Sequence, residues 1–164
     1  MIADVERIAI VVDSTNSLPK SVIGDLPLAV VPLTIQFGLD SYLDGIDISP
    51  EEFYRLLSKS PVRPMTSAPS PQDFLNTFRS LAMDYSHIAC LTLSGKLSAT
   101  YNAAVSASES FKLEFPDIMI EVIDSHTAGG GLGLVALQCS RNVAKGQSWD
   151  ALMDNLARMI PKIR

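Results

Sequence analysis

Residues 92–104 read TLSGKLSATYNAA. Three hydroxyls, Ser94, Ser98 and Thr100, flank one glycine, Gly95, between an apolar run and an Ala-rich stretch. A hydroxyl just before a helix ordinarily caps it, accepting from its first free N–H groups. The same place suits an anion. The first N–H groups of a helix lack partners, the helix dipole is positive there, and an anion is held without lysine or arginine. Two other apolar runs end alike, at Asp13-Ser14-Thr15 and Asp124-Ser125. Lys96 is the one base within these turns. A single carboxylate fits such a rim better than a nucleoside triphosphate.

Other chemistries find less support. Gly95-Lys96-Leu97-Ser98 lacks the leading glycine and the Lys-Ser/Thr adjacency of a phosphate-binding loop. Gly129-Gly130-Gly131-Leu132-Gly133 follows an apolar run, as a dinucleotide loop does, but its spacing is not GxGxxG. It reads as a glycine-rich helix start that permits close packing. No GxSxG elbow occurs. A triad of Ser98, His126 and an aspartate is the enzymatic alternative, a small serine hydrolase. Cys90 and Cys139 form no CxxC, and each sits in an apolar segment as a buried thiol. No His/Cys cluster suggests zinc and no carboxylate loop suggests calcium. Neither a metal nor a cofactor is expected.

The elements that must position these turns follow from periodicity. Arg7–Val12, His87–Leu93 and Ile118–Ile123 are continuous apolar runs rich in β-branched residues, as in strands buried on both faces of a parallel sheet. Leu28–Phe37 reads as extended, with Pro32 at a bulge or edge. Asp44-Gly45 suggests a hairpin over 41–48. Ser17 is expected to cap a short helix ending at Gly24. Ser49-Pro-Glu-Glu52 and Ser70-Pro-Gln-Asp73 are helix starts with a cap, a proline and an acid. Between them, residues 61–69 carry three prolines and read as a stiff linker. Helices are also expected over 98–111, with Leu97, Tyr101, Ala104, Val105 and Phe111 on one face, over 131–144, and after Ser148. Strands alternate with helices, so the class is α/β with a mainly parallel sheet flanked by helices.

The 164 residues suit one domain. A net charge of −5 argues against nucleic acid and anionic membranes as partners. No apolar stretch is long enough to span a bilayer, and residues 1–7 carry early acids unlike a signal peptide. A cytoplasmic location is expected.

Four motifs together resemble the DegV family: Val11-Val-Asp-Ser-Thr15, Met65-Thr-Ser-Ala-Pro-Ser70, Leu97-Ser-Ala-Thr-Tyr101, and Val122-Ile-Asp-Ser125 before a Gly-rich helix. Tyr42-Leu-Asp-Gly-Ile-Asp47 fits the family's hairpin, and the order agrees along the whole chain. The resemblance implies a bacterial fatty-acid-binding protein, related to the binding subunits of fatty acid kinase. An acyl chain would lie in an apolar tunnel with its carboxylate held by hydroxyls. Carried over by motif, Thr66 and Ser98 contact the carboxylate, the backbone N–H of Ala99 assists, and Ser94 is a neighbour. Gly95 and Ala99 stand where relatives often have Ser and Gly, and Gly129 where they often have Ser. The resemblance also implies that residues 1–164 are the first of two domains. The second would close over the ligand, and without it the chain is expected to self-associate.

Overall fold

Two of the three continuous apolar runs, Arg7–Val12 and His87–Leu93, become the centre of a four-stranded sheet, whereas Ile118–Ile123 lies at its edge with Met119 and Glu121 exposed, not buried on both faces as expected. The computed structural model describes residues 6–163, so most of the segment read as lacking a signal peptide lies outside the described residues. In chain order come β1 (Ile8–Asp13), a 3-10 turn (Ser14–Asn16), α1 (Lys20–Ile23), β2 (Leu28–Val31), β3 (Thr34–Phe37), β4 (Asp40–Leu43) and α2 (Pro50–Lys59). Then follow β5 (Met65–Ser67), α3 (Pro71–Leu81), β6 (His87–Thr92), α4 (Thr100–Glu114), β7 (Met119–Asp124), α5 (Gly130–Ala144), α6 (Trp149–Met159) and a last 3-10 turn (Ile160–Lys162).

The main sheet is wholly parallel, in the order β2-β1-β6-β7. All six residues of β1 are buried. Ile8, Ile10, Val12, Ala89 and Leu91 pack against Leu132, Val135, Ala136, Trp149, Leu152 and Leu156 of α5 and α6. Val11, Ile88 and Cys90 face the other way, onto Phe74, Phe78, Ala104 and Phe111 of α3 and α4. Each large side chain so buried contributes about 1.5–3 kcal/mol. Among the described residues no helix is long and apolar enough to cross a membrane.

Local signals held where the chemistry was short-range. Ser49 and Ser70 each accept from the N–H three residues on, and the side chains of Glu52 and Asp73 return the bond. Gly133 confirms the close-packing reading of the glycine run: a Cβ there would collide with the backbone oxygen of Asn16.

Several expectations are corrected. Leu28–Phe37 is not one extended element but two strands in two sheets, because the chain leaves the main sheet at Pro32. The hairpin turns at Gly38-Leu39, not at Asp44-Gly45, and pairs β3 with β4. The proline-rich linker contains β5, which pairs with the other edge of β3. Ser17 does not cap α1 but closes the preceding 3-10 turn with a left-handed backbone; Pro19 precedes α1. Ser148 makes no side-chain cap, and Glu6 Oε2 accepts from Trp149 N–H at 2.6 Å instead. Helix α4 begins at Thr100 and buries Thr100, Ala104, Ala107, Ser108 and Phe111. Leu97 therefore precedes the helix and is 69% exposed.

Candidate functional site

From the central strand β1 the chain steps to β2 on one side, then crosses to β6 and β7 on the other. The carboxyl ends of β1 and β6 flank this reversal, the place where open α/β sheets bind ligands. Two aspartates build the rim there by the same rule. Asp13 ends β1; its Oδ1 accepts from the N–H of Thr15, two residues on, at 3.0 Å. Asp124 ends β7; its Oδ1 accepts from the N–H of His126, again two residues on, at 2.8 Å. Each thereby closes its own turn. Each then sends Oδ2 to the segment after β6, Asp13 to Leu93 N–H at 2.7 Å and Asp124 to Gly95 N–H at 3.1 Å. Ser94 N–H donates to the carbonyl of Thr127 at 2.8 Å, and Ser125 N–H to that of Thr92 at 3.1 Å. Residues 93–95 are thus held from both sides.

The turn they hold delivers the candidate residues. Leu97 and Ser98 donate their N–H groups to the Ser94 carbonyl at 2.9 and 3.2 Å. Ser98 Oγ lies 2.9 Å from Thr100 Oγ1 and accepts from Thr100 N–H at 3.3 Å. Ala99 immediately precedes α4, and its N–H has no acceptor among the described residues. Ser94 is buried and accepts from Lys96 N–H at 3.3 Å. Ser94, Ser98 and Ala99 therefore share one turn. Thr66 lies elsewhere, exposed on β5 opposite Ile35, with no hydrogen bond to that turn among the described residues.

The electrostatics are local. Burial pushes the Asp13 carboxyl above its ordinary 3.8, against the opposing pull of the bonds donated by Thr15 and Leu93. His126 Nδ1 lies 3.2 Å from Asp124 Oδ2. The His126–Asp124 half of a hydrolytic triad is present, whereas Ser98 Oγ bonds to Thr100 and makes no bond to His126.

A cleft of about 970 Å³ opens beside the rim, lined by Ser14 and Asn16, by Leu18 and Ile23, and by Ile35 and Phe53 among others. Lys20 Nζ donates to the Gly45 carbonyl at 2.8 Å and ties α1 to the turn after β4. Antiparallel partners project to the same face of a sheet, so Thr66 shares the face of Ile35 that borders this cleft.

A family model described as "Uncharacterised protein, DegV family" matches residues 7–164. The chain belongs to the DegV family. A DegV domain-containing protein of Caldanaerobacter subterraneus subsp. tengcongensis is 36% identical over 159 residues, which cover 97% of this chain and 55% of the relative. Among solved structures, a DegV family protein from Thermus thermophilus described by its fatty acid binding superposes with a TM-score of 0.83 at 33% identity, over 94% of this chain and 54% of the other. A stearic-acid-binding protein from Eubacterium ventriosum gives 0.84 at 32% identity, over 92% and 52%. The chain spans about half the length of the relatives it matches. These DegV neighbours share its α/β fold, as the sequence indicated.

Reading this DegV chain for hydroxyls left out the two aspartates that hold the turn. The signal was present. Asp13-Ser14 and Asp124-Ser125 each put a carboxylate at the end of an apolar run. A carboxylate there needs donors.

Proposed function

We propose that this chain is a ligand-binding, non-catalytic domain of a cytoplasmic fatty-acid-binding protein that presents its ligand to a fatty acid kinase. The carboxylate is held by the hydroxyls of Thr66 and Ser98 and by the N–H of Ala99, with Ser94 adjacent. Residues 1–164 form the first α/β domain, and a second completes the tunnel. The observation that carries the reading is the Ser94–Ala99 turn: it offers a hydroxyl and an unbonded N–H at a helix start, at the reversal point of the sheet. Two structural relatives named for fatty acid binding support the choice of anion. The cleft bordered by Ile35, the cross-strand partner of Thr66, gives an acyl chain somewhere to go, and each buried CH₂ contributes about 0.8 kcal/mol.

Native mass spectrometry of the purified protein tests the reading. A copurified fatty acid, displaced by added palmitate, is the expected result. A structure with palmitate that placed the Thr66 and Ser98 oxygens more than about 8 Å apart would sink the shared carboxylate, since each hydrogen bond spans roughly 3 Å.

A further inference from the structure

We propose that Asp124 is the positioning residue of the Gly95–Ala99 turn and that His126 sets how it holds. The ligand half of this proposal rests on the fatty-acid reading; the positional half does not. Asp124 Oδ2 is shared. It accepts from Gly95 N–H at 3.1 Å and lies 3.2 Å from His126 Nδ1. Its other oxygen fixes the His126 backbone, which sits at φ +54°, a left-handed value uncommon outside glycine. Gly95 is what lets the carboxylate come this close, because a Cβ there would stand 3.1 Å from Oδ2 and 3.5 Å from the Tyr101 side chain. Asp124 is 18% exposed in its side chain and His126 64%, so the imidazole meets solvent and the carboxylate hardly does.

Protonating His126 changes two things at once. Both ring nitrogens become donors, so Oδ2 must serve a charged donor as well as Gly95 N–H. The negative charge beside the turn is also offset, which lowers the repulsion an incoming carboxylate meets there. Of the other ionisable groups, Tyr101 on α4 packs beside Gly95, Asp13 accepts from Leu93 N–H at the start of the segment, and Lys96 lies in the turn itself. Asp124 is the only one in an ion pair with His126 among the described residues.

The test follows the Gly95 amide by NMR between about pH 8 and about pH 5, the window of imidazole chemistry. In the wild-type chain the Gly95 amide proton should move together with the His126 ring protons. It should stay fixed in His126→Gln, and Asp124→Ala should remove its protection from exchange. If Asp124→Ala does not fold, Asp124→Asn retains an acceptor and the shape and should flatten the pH response. A Gly95 amide that ignores the His126 titration overturns the proposal. In parallel, the ratio of palmitate affinities, wild type over His126→Gln, should rise about two- to fivefold over the same range, the scale of an exposed ion pair. The ligand's own titration cancels in that ratio, and a constant ratio with measurable binding also counts against the proposal. The Gly95 readout needs no ligand, so it decides the positional claim even if palmitate binds neither protein, the result that would sink the fatty-acid reading.

Discussion

Asp13 and Leu93 meet across the switch point of the sheet, the carboxylate oxygen of one accepting the N–H of the other at 2.7 Å. This buried bond joins the end of the central strand to the start of the candidate turn. Both oxygens of Asp13 accept, because Oδ1 also takes the N–H and hydroxyl of Thr15 at 3.0 and 2.6 Å. Asp13→Asn would turn an amide NH₂ toward a donor, and is expected to cost about 1–3 kcal/mol. The pH dependence has a definite sign. Burial raises the folded carboxyl above 3.8, so the folded protein keeps this proton to higher pH than the unfolded chain does. The stability it contributes is complete below the ordinary value and is lost as pH rises through the raised one. The wild-type advantage over Asp13→Asn should therefore shrink over that step in urea titrations at a series of pH values. An advantage that grows there would contradict this.

Ser98→Ala should weaken palmitate binding by about 1.5–3 kcal/mol, the range for a hydrogen bond to a charged group. The serine also accepts from Thr100 N–H at 3.3 Å, so the same change removes a helix-start contact worth about 1 kcal/mol. Calorimetric titration read beside thermal melts separates the two. Unchanged affinity in a folded Ser98→Ala protein would remove Ser98 from the site.

Gly133→Ala should destabilise the fold by about 1–3 kcal/mol, the usual cost of overpacking. The added methyl would run into the Asn16 carbonyl, a backbone atom that cannot rotate away. Gly130→Ala, with open space at the same helix start, is the control. Equal melting temperatures for the two variants would show that α5 does not lean on the 3-10 turn as described.

Neither thiol should react with iodoacetamide at neutral pH in the folded protein. Burial pushes Cys139 up to about 12, and burial together with the Asp13 charge pushes Cys90 well above its ordinary 9.0. Since the thiolate is the nucleophile, labelling should appear only as urea unfolds the chain, which peptide mass mapping can follow.

Leu97 is 69% and Leu134 67% exposed, and exposed apolar side chains that gather in a patch drive association. Light scattering across a dilution series should show mass rising with concentration. Leu97→Ser with Leu134→Ser should reduce it, while a strictly monomeric wild-type chain would argue that these leucines need no covering.

The parts of the fold legible in the sequence were those that bury both faces or close a short loop. The β1 and β6 runs lack alternation because neither face of either strand sees water. The caps at Ser49 and Ser70 span three residues, so the motif and the bond are the same object. By contrast β5 was not legible: Met65, Thr66 and Ser67 are all exposed, and the strand exists because an edge of β3 is there to pair with. The site divides likewise. Its hydroxyls show in the sequence, as does the turn-closing half of each aspartate. The other half reaches 80 residues from Asp13 and 29 from Asp124, beyond any local pattern.

The parallel order of the main sheet also sets a timetable for synthesis. β1 needs β2 on one side and β6 on the other, and Ile8 pairs with His87. As it leaves the ribosome, β1 therefore waits about 80 residues for its second neighbour, or about 4–16 s at roughly 5–20 residues per second. Through that interval a largely apolar strand edge stands open on the nascent chain, and unpaired edges of this kind are prone to aggregate. That exposed interval falls before the residues of the candidate turn have been translated.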